Sequence, residues 1–566
     1  MKKTRRFASL ATAAILAACA VVPATMSALP VSAATAGTVT FVKSGTDDKA
    51  THTYKAYQIF SGSVDEKDTL TNVQWANVDK GAAFLTALKA DGTIGTSFAN
   101  CETAAAVAAV LGGETKDSTL LQNFATFAAS QKSNLKVVNA EEAESISVTA
   151  DGYYLFEDVS ALTDKTGAKT RYLIAQVDAE KGLDIAVKSS LPSVEKKIKE
   201  NTKNVAYGSE TNETEAYVGT GYNDVADYNI GDAVPFKLIG TLPSTLDDYA
   251  SYKYIFHDTL SEKFTLSNSF STDGVKVTID GVTVTKGYTV TVGAVSNNAT
   301  PITISFNDIK KAEGADGPIT VTKDSKVEVT YNATLNANAV IGLDGQTNEV
   351  YLEYSNNPNQ GGGGETGSTP EDKVIAFTYE LDVNKIDANS KVALKGAKFK
   401  LQADSGAHKD QWAKLTKNSD GNYTISEWVA DEVDATEFEN TTGNTFAVIG
   451  LDSGTYNLKE TVAPSGYKTP DKAFKVELTA TTKNDQNWDN FTASEALTAL
   501  EVKLDNAAGA ADVNSGIGTV TVGNSSGSTL PSTGGIGTTI FYVAGGVLVV
   551  GAGVLLITKK RAKDAQ

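Results

Sequence analysis

Three apolar strand patterns in the C-terminal third of the chain each continue into a polar residue. Alternate positions of residues 377–383, 500–504 and 456–458 are apolar, and the next inward positions hold, in the same order, Lys385, Asn506 and Glu460. One buried Lys or Glu without a partner is costly, and a single case would be explained by a position just beyond the core. Three cases instead bring an amine, a carboxamide and a carboxyl group to one module, and these are groups for nucleophilic and acid–base chemistry.

A weaker version of the same pattern occurs in the middle of the chain. One predicted strand places Lys196 between two apolar residues of its inward face, and the apolar face of another continues to Asn356. The segment FHDTL adds the carboxylate of Asp258. A slip of one residue in the register of the first strand would turn Lys197 inward in place of Lys196.

The elements that must position these residues are mostly strands. Period-two alternation is clearest in residues 275–292, 319–335 and 377–387, whereas helical periodicity is clear only in residues 82–90 and 103–113. We therefore expect an all-β fold class, a tandem array of immunoglobulin-like β-sandwich domains. The N-terminal module should be α+β, with some helix.

Polar stretches rich in Gly, Ser and Asn divide the folded material. They predict an N-terminal domain at 34–188, a second domain at 189–358 and a third at 372–508. Residues 359–371 and 509–529 are expected to be linkers. Each predicted domain has the size of a β-sandwich.

The N-terminal residues 1–33 have the pattern of a secretory signal peptide. A basic start is followed by an apolar stretch and by the small residues Val31, Ser32 and Ala33. A membrane anchor is the alternative, but the apolar run is short and is interrupted by proline. A lipobox-like pattern that ends at Cys19 leaves lipidation as a second alternative.

The C-terminal residues 530–566 combine a short motif, a long apolar run and a basic tail. The motif contains Leu530, Pro531, Thr533 and Gly534, and the run is long enough to cross a bilayer. A plain tail anchor is one interpretation. The order of the three parts resembles the LPxTG cell-wall sorting signal of Gram-positive bacteria. That resemblance implies cleavage by a sortase between Thr533 and Gly534, with transfer of the Thr carbonyl to an amine.

Composition excludes several classes of function. The 566 residues carry a net charge of -18, which argues against nucleic acid as a partner. Three His and two Cys lie far apart, so that a zinc, haem or iron–sulfur site is not expected. The sequence also contains no P-loop and no HExxH motif. We expect no cofactor, no metal and no turnover enzyme.

Internal motifs resemble those of pilins. The segment YNLKETVAPSGY, at 456–467, is similar to the E-box of pilins and of collagen-adhesin B-type domains. The resemblance implies an isopeptide bond between Lys385 and Asn506, formed with Glu460 as the catalytic acid. An apolar site would hold the amine neutral and the carboxyl protonated, so that the amine can attack the polarised amide.

The second domain is similar to A-type pilin domains through its DTL element. This resemblance implies an isopeptide bond from Lys196 to Asn356 with Asp258 as the catalytic acid, and Lys197 is the alternative amine.

The first domain resembles the N-terminal domain of fimbrial shaft proteins in residues 54–62 and 150–158, and no bond triad can be assigned there. Lys188 lies where that family has its pilin-motif lysine, although the local sequence reads AVK in place of YPK. An ordinary solvated lysine is the alternative.

Together these motifs are typical of the shaft subunit of a sortase-assembled, SpaA-like pilus. The resemblance implies a secreted fimbrium subunit that is joined from Thr533 to Lys188 of the next copy and anchored to the cell wall. Its expected partners are other copies, pilin-specific and housekeeping sortases, peptidoglycan and tip or minor pilins, with host ligands if the shaft itself adheres. The alternative is a wall-anchored monomeric adhesin with stalk domains.

Overall fold

The computed structural model describes residues 37–44, 48–116, 118–138, 143–162, 167–201, 214–361, 364–439, 443–483, 493–526 and 536–563. The expected signal peptide and the residues from Leu530 to Gly534 lie outside the described residues. The described chain forms three modules, which we define as module one (37–188), module two (189–377) and module three (378–526). A C-terminal helix follows them.

Module one packs helices against a sheet. The sheet has the order β3-β2-β6-β7, with β4 beside β2, and a second sheet has the order β5-β1-β8. Both predicted helices are present, and a third one follows them. The elements are β1 (Thr38–Lys43), β2 (Tyr54–Val64), β3 (Leu70–Trp75), α1 (Gly81–Ala90), α2 (Ala104–Gly112), α3 (Thr119–Ser130), β4 (Lys136–Val137), β5 (Ser145–Ser147), β6 (Gly152–Asp158), β7 (Leu173–Val177) and β8 (Leu183–Val187).

Module two is a sandwich of two sheets around one apolar core. The first sheet has the order β10-β9-β12-β21-β15-β16 and the second β11-β24-β22-β13-β18-β17. Its elements are β9 (Val194–Lys199), α4 (Glu215–Val218), β10 (Tyr222–Asn223), β11 (Val225–Asp227), β12 (Ala233–Gly240), β13 (Tyr254–Ser261), β14 (Phe264–Thr265), β15 (Val275–Ile279), β16 (Val282–Thr283), β17 (Thr289–Val292), β18 (Ala299–Phe306), β19 (Glu313–Gly314), β20 (Gly317–Pro318), β21 (Val327–Leu335), β22 (Gln346–Ser355), β23 (Thr366–Ser368) and β24 (Asp372–Phe377).

Module three is a second all-β unit with its own core. The strands follow the order β34-β33-β32-β31-β26-β27-β28-β30-β25-β36-β35, and β29 pairs with β26. The elements are β25 (Tyr379–Asp387), β26 (Lys398–Ala403), β27 (Trp412–Lys417), β28 (Tyr423–Val429), β29 (Phe438–Glu439), β30 (Thr445–Leu451), β31 (Gly454–Val462), β32 (Phe474–Thr482), α5 (Ala493–Ala496), β33 (Leu497–Leu504), β34 (Ala507–Ala508), β35 (Ala510–Asp512) and β36 (Ile517–Asn524).

The final helix, α6 (Ile536–Lys563), follows module three. Its segment Thr539–Lys563 is long and apolar enough to cross a membrane, with a mean hydropathy of 2.5.

Both expected linkers require correction. Residues 359–371 contain β23 and lead directly into β24, and both strands pair with β22. Residues 509–529 contain β36, which pairs in parallel with β25 over eight residues. Composition misled the prediction because small residues in β36 serve close packing. A Cβ on Gly518 would lie 3.0 Å from the Cβ of Val502.

Modules two and three share the strand β24. Its alternate residues Val374 and Ala376 belong to the core of module two, whereas Ile375 and Phe377 belong to the core of module three. The short strand β11 pairs in parallel with β24 and also contributes to both cores, with Ala226 in the core of module two and Val225 in the core of module three. The junction between these two modules is therefore packed from both sides.

Candidate functional site

A buried lysine, amide and carboxyl meet in module three. Lys385 on β25 is fully buried, and its Nζ donates hydrogen bonds to Asn524 Oδ1 and to the Val522 carbonyl oxygen, the latter at 3.2 Å. Glu460 on β31 is 4% exposed, and its Oε1 lies 4.0 Å from the same Nζ. The three side chains form a compact set, closed off by the apolar core.

Burial shifts the pKa values of the lysine and the glutamate of this set. Burial lowers the pKa of Lys385, although the negative charge of Glu460 acts to raise it. Burial raises the pKa of Glu460, although the charge of Lys385 and a hydrogen bond with the Asn524 side chain act to lower it. Because desolvation penalises both charged forms, the site favours a neutral amine beside a protonated carboxyl.

Asn506 does not join this set, which corrects the predicted amide partner. It lies exposed in the turn between β33 and β34 with a positive φ of 69°. Asn524 takes its place because β36, and not β33, is the strand that pairs with β25. The signal in the sequence was the alternation Val520, Val522, Asn524, which lies within the stretch expected to be a linker.

Module two contains a second buried set. Lys196 on β9 is fully buried, and its Nζ donates a hydrogen bond to Asp258 Oδ2 on β13. The Tyr331 hydroxyl on β21 donates to the same oxygen at 2.8 Å. Asn348 on β22 is also fully buried, and its Nδ2 donates to Tyr331 Oη at 2.6 Å. The amine, the acid and the amide therefore all contact the hydroxyl of Tyr331.

Burial shifts the pKa values of this set in the same directions as in module three. Burial lowers the pKa of Lys196, against the opposing charge of Asp258. Burial raises the pKa of Asp258, against the charge and hydrogen bond of Lys196.

Asn356 is not part of this site, and the predicted amide partner again needs correction. Asp258 pairs with Val350, so that Asn356 lies six residues further along the chain, about 20 Å away at strand spacing. Its Nδ2 donates to the Gly167 carbonyl oxygen of module one at 3.3 Å. Asn348 lies on the same strand face, two residues to the other side of Val350.

The structure also separates the two candidate lysines of β9. Lys197 Nζ lies 2.8 Å from Asp224 Oδ1, whereas Lys196 reaches Asp258. Lys196 is thus the lysine of the module-two set, with no slip in register.

Lys188, the expected acceptor, directly follows β8 and is exposed where module one meets module two. Its charge acts on Asp248 of module two, whose Oδ1 also lies 3.2 Å from Nη1 of Arg171 in module one. By contrast, Lys181 is held by ion pairs with Asp68 at 2.7 Å and Asp178 at 3.0 Å. Lys188 is therefore presented at a module junction.

A buried charge cluster in module one was not anticipated from the sequence. His52 Nδ1 lies 2.8 Å from Asp158 Oδ2, and His52 Nε2 lies 3.2 Å from Asp48 Oδ2. The two carboxylates outweigh desolvation and raise the pKa of His52 to about 9. Asp48 also hydrogen-bonds the side chain of Ser189, next to Lys188. Among the described residues, no group of acidic, His or Cys side chains is suited to hold a metal ion.

Comparison with known families assigns three parts of the chain. Residues 379–492 match SpaA, a prealbumin-like fold domain. Residues 230–358 match a Gram-positive pilin backbone subunit 2, Cna-B-like domain, and residues 524–564 match an LPXTG cell wall anchor motif. The chain is a wall-anchored backbone pilin. These matches confirm the expected shaft subunit over the adhesin alternative, and they belong to structural rather than enzymatic families.

The pilin is similar to surface proteins of two bacteria. It is 24% identical over 458 residues to the trypsin-resistant surface T6 protein of Streptococcus pyogenes serotype M6, and this alignment covers 71% of this chain and 73% of the relative. It is 27% identical over 270 residues to fimbrial subunit type 2 of Actinomyces naeslundii, which covers 44% and 47%. The solved T6 backbone pilin of Streptococcus pyogenes aligns with 88% of this chain and 100% of its own, at 16% identity and a TM-score of 0.47.

Proposed function

We propose that this pilin is a covalently reinforced shaft subunit. Lys196 is joined to Asn348 and Lys385 to Asn524 by intramolecular isopeptide bonds, with Asp258 and Glu460 as the respective acids. Between subunits, a sortase joins Thr533 to Lys188 of the next copy. The observation that carries the intramolecular part is the repetition of one arrangement, a fully buried lysine beside an acid and an amide, in two separate modules.

The proposed chemistry needs no co-reactant. The neutral amine attacks the carboxamide carbon of the asparagine while the protonated acid polarises the amide. A carbon–nitrogen bond to the lysine forms, the bond to the original amide nitrogen breaks, and ammonia leaves with one proton from the acid. The lysine nitrogen returns one proton to the acid, which ends unchanged. Each bond therefore lowers the mass of the chain by about 17 Da.

The positions of the two pairs suit a load-bearing role. Lys196 is on the first strand of module two, and Asn348 is on β22 near the end of that module. Lys385 and Asn524 lie on the first and last strands of module three, which are neighbours in the sheet. Each bond would thus connect the two chain ends of a module directly, and tension between subunits would bypass most of the intervening strands.

Intact-mass measurement of the recombinant mature chain tests the two bonds. We expect a deficit of about 34 Da from the sequence mass, two ammonia losses. Asp258→Ala and Glu460→Ala should each reduce the deficit by half, with every variant compared with its own sequence mass. An intact mass equal to the sequence mass would rule out both bonds.

Asparagine variants test the corrected partners. Asn348→Ala and Asn524→Ala should each remove one loss. Asn356→Ala and Asn506→Ala are the matched controls and should keep both. If a control variant instead loses a bond, the assignment by strand position is wrong for that module.

A further inference from the structure

The hydroxyl of Tyr331 lies between the acid and the amide of module two. It donates to Asp258 Oδ2 at 2.8 Å and accepts from Asn348 Nδ2 at 2.6 Å. Lys196 Nζ lies 3.4 Å from the hydroxyl oxygen of Tyr331. Tyr331 is 3% exposed, so that all the groups named here are shielded from solvent.

Packing alone does not require this hydroxyl. The ring of Tyr331 contacts the rings of Phe236 and Phe270, with centroids 5.4 Å away in each case, and a phenylalanine would present the same ring. Burying a hydroxyl costs free energy unless it is hydrogen-bonded. Here its hydrogen-bond partners are the side chains of the proposed bond-forming set, which points to a role in the reaction.

We propose that Tyr331 relays a proton from Asp258 to the departing nitrogen of Asn348. This inference rests on the proposed isopeptide bond. The amine of Lys196 attacks the Asn348 amide carbon, and the new carbon–nitrogen bond forms. After the attack Nδ2 is no longer conjugated to the carbonyl and can accept a proton, so that both hydrogen bonds of Tyr331 reverse. As the bond to Nδ2 breaks, Tyr331 gives its hydroxyl proton to Nδ2 and receives one from the protonated Asp258. Lys196 then returns a proton to Asp258, and ammonia leaves.

The geometry explains why a relay is needed here. The carboxyl oxygen Oδ2 of Asp258 faces the lysine, while the leaving nitrogen of Asn348 contacts the tyrosine hydroxyl. Burial raises the pKa of Tyr331 well above its ordinary value, which keeps the hydroxyl protonated and able to donate. In module three, Lys385 contacts Asn524 directly, and within the described residues the side-chain hydrogen bonds of Lys385 and Asn524 do not involve a tyrosine hydroxyl.

Timed cell-free synthesis of the full mature chain tests the relay. Samples are stopped with acid, and the Lys196–Asn348 crosslinked peptide is quantified by mass spectrometry. Tyr331→Phe should slow formation of this bond by on the order of 10²-fold, a typical loss for general acid–base catalysis. The Lys385–Asn524 bond in the same molecules is the internal control and should form at the wild-type rate. Tyr354→Phe, which removes a buried hydroxyl further along β22, is the matched control and should crosslink normally.

A second measurement separates catalysis from a structural role. Uncrosslinked Tyr331→Phe should unfold at about the same temperature as Asp258→Asn, because each variant lacks the isopeptide bond and changes one partner of the same Tyr331–Asp258 hydrogen bond. A lower midpoint of thermal unfolding for Tyr331→Phe would show that the hydroxyl mainly supports the fold. If Tyr331→Phe forms the Lys196–Asn348 bond at the wild-type rate, the relay is excluded directly. If the wild-type chain itself forms no Lys196–Asn348 bond, the proposed function of this site fails, and the relay fails with it.

Discussion

Mechanical loading of single molecules between Lys188 and Thr533 should distinguish covalent from non-covalent modules. In the proposed fibre, tension enters at Lys188, crosses from Lys196 to Asn348, follows the chain to Lys385, and crosses to Asn524. Residues 197–347 and 386–523 then lie outside the loaded path. The wild-type chain should therefore show no step that corresponds to unfolding of a whole module.

The loss of one bond has a calculable consequence. Glu460→Ala would return 524 − 385 = 139 residue steps to the loaded path of module three. At about 3.3–3.6 Å per residue, full extension releases about 460–500 Å. Nearly all of this length should be visible, because the side chains of Lys385 and Asn524 are in contact before unfolding.

Single-molecule force spectroscopy with handles at residues 188 and 533 measures this length. Glu460→Ala should add one step of the stated size, and Asp258→Ala should add one from 348 − 196 = 152 residue steps, about 500–550 Å. Glu501→Ala, on the exposed side of β33, is a matched control and should behave as wild type. Steps of module length in the wild-type chain would refute the loaded path, even if mass measurements showed both bonds.

Two other predictions concern module one. Lys188→Arg should abolish covalent multimers in wall extracts boiled in detergent while the monomer stays anchored, because arginine keeps the charge but is not an amine nucleophile; Lys181→Arg is the control, and an unchanged ladder for Lys188→Arg would identify another acceptor. The His52 cluster should stabilise module one fully below pH 6.5 and lose its effect as pH rises through the folded-state pKa of about 9, a difference of about 3 kcal/mol. Hydrogen exchange of the full mature chain between pH 6 and 10 would detect this loss, and His52→Gln should remove the pH dependence; equal protection across that range in wild type would contradict it.

The sequence was informative about faces and less informative about neighbours. Alternation correctly turned Lys385, Glu460 and Lys196 inward because a strand fixes the side of each residue by its spacing alone. Spacing does not determine which strands pair. Asn506 and Asn524 both follow apolar alternation, and only the parallel pairing of β25 with β36, across most of module three, selects Asn524.

The error at Asn356 has a different origin. Asn348 and Asn356 lie on the same face of the same segment, so that the predicted face was right and the position along the strand was wrong. That position depends on the register of β22 against β13, which pairs Leu260 with Asn348 and Asp258 with Val350. The register of two strands whose paired residues are about 90 positions apart is a tertiary property, and local periodicity does not contain it.

The corrected partners also change what the junction between modules two and three must withstand. Between Asn348 and Lys385 the loaded path contains most of β22, then β23, β24 and most of β25, and neither bond bypasses these segments. Tension on these 37 residue steps is resisted by strand pairing and by the two cores that enclose β24. If they yield, extension stops at about 130 Å, since the next element in the path is a covalent bond. The segment around the shared strand β24 is thus where the proposed shaft can lengthen under load by less than the length of a module, and the packing of β24 on both faces resists the start of that extension.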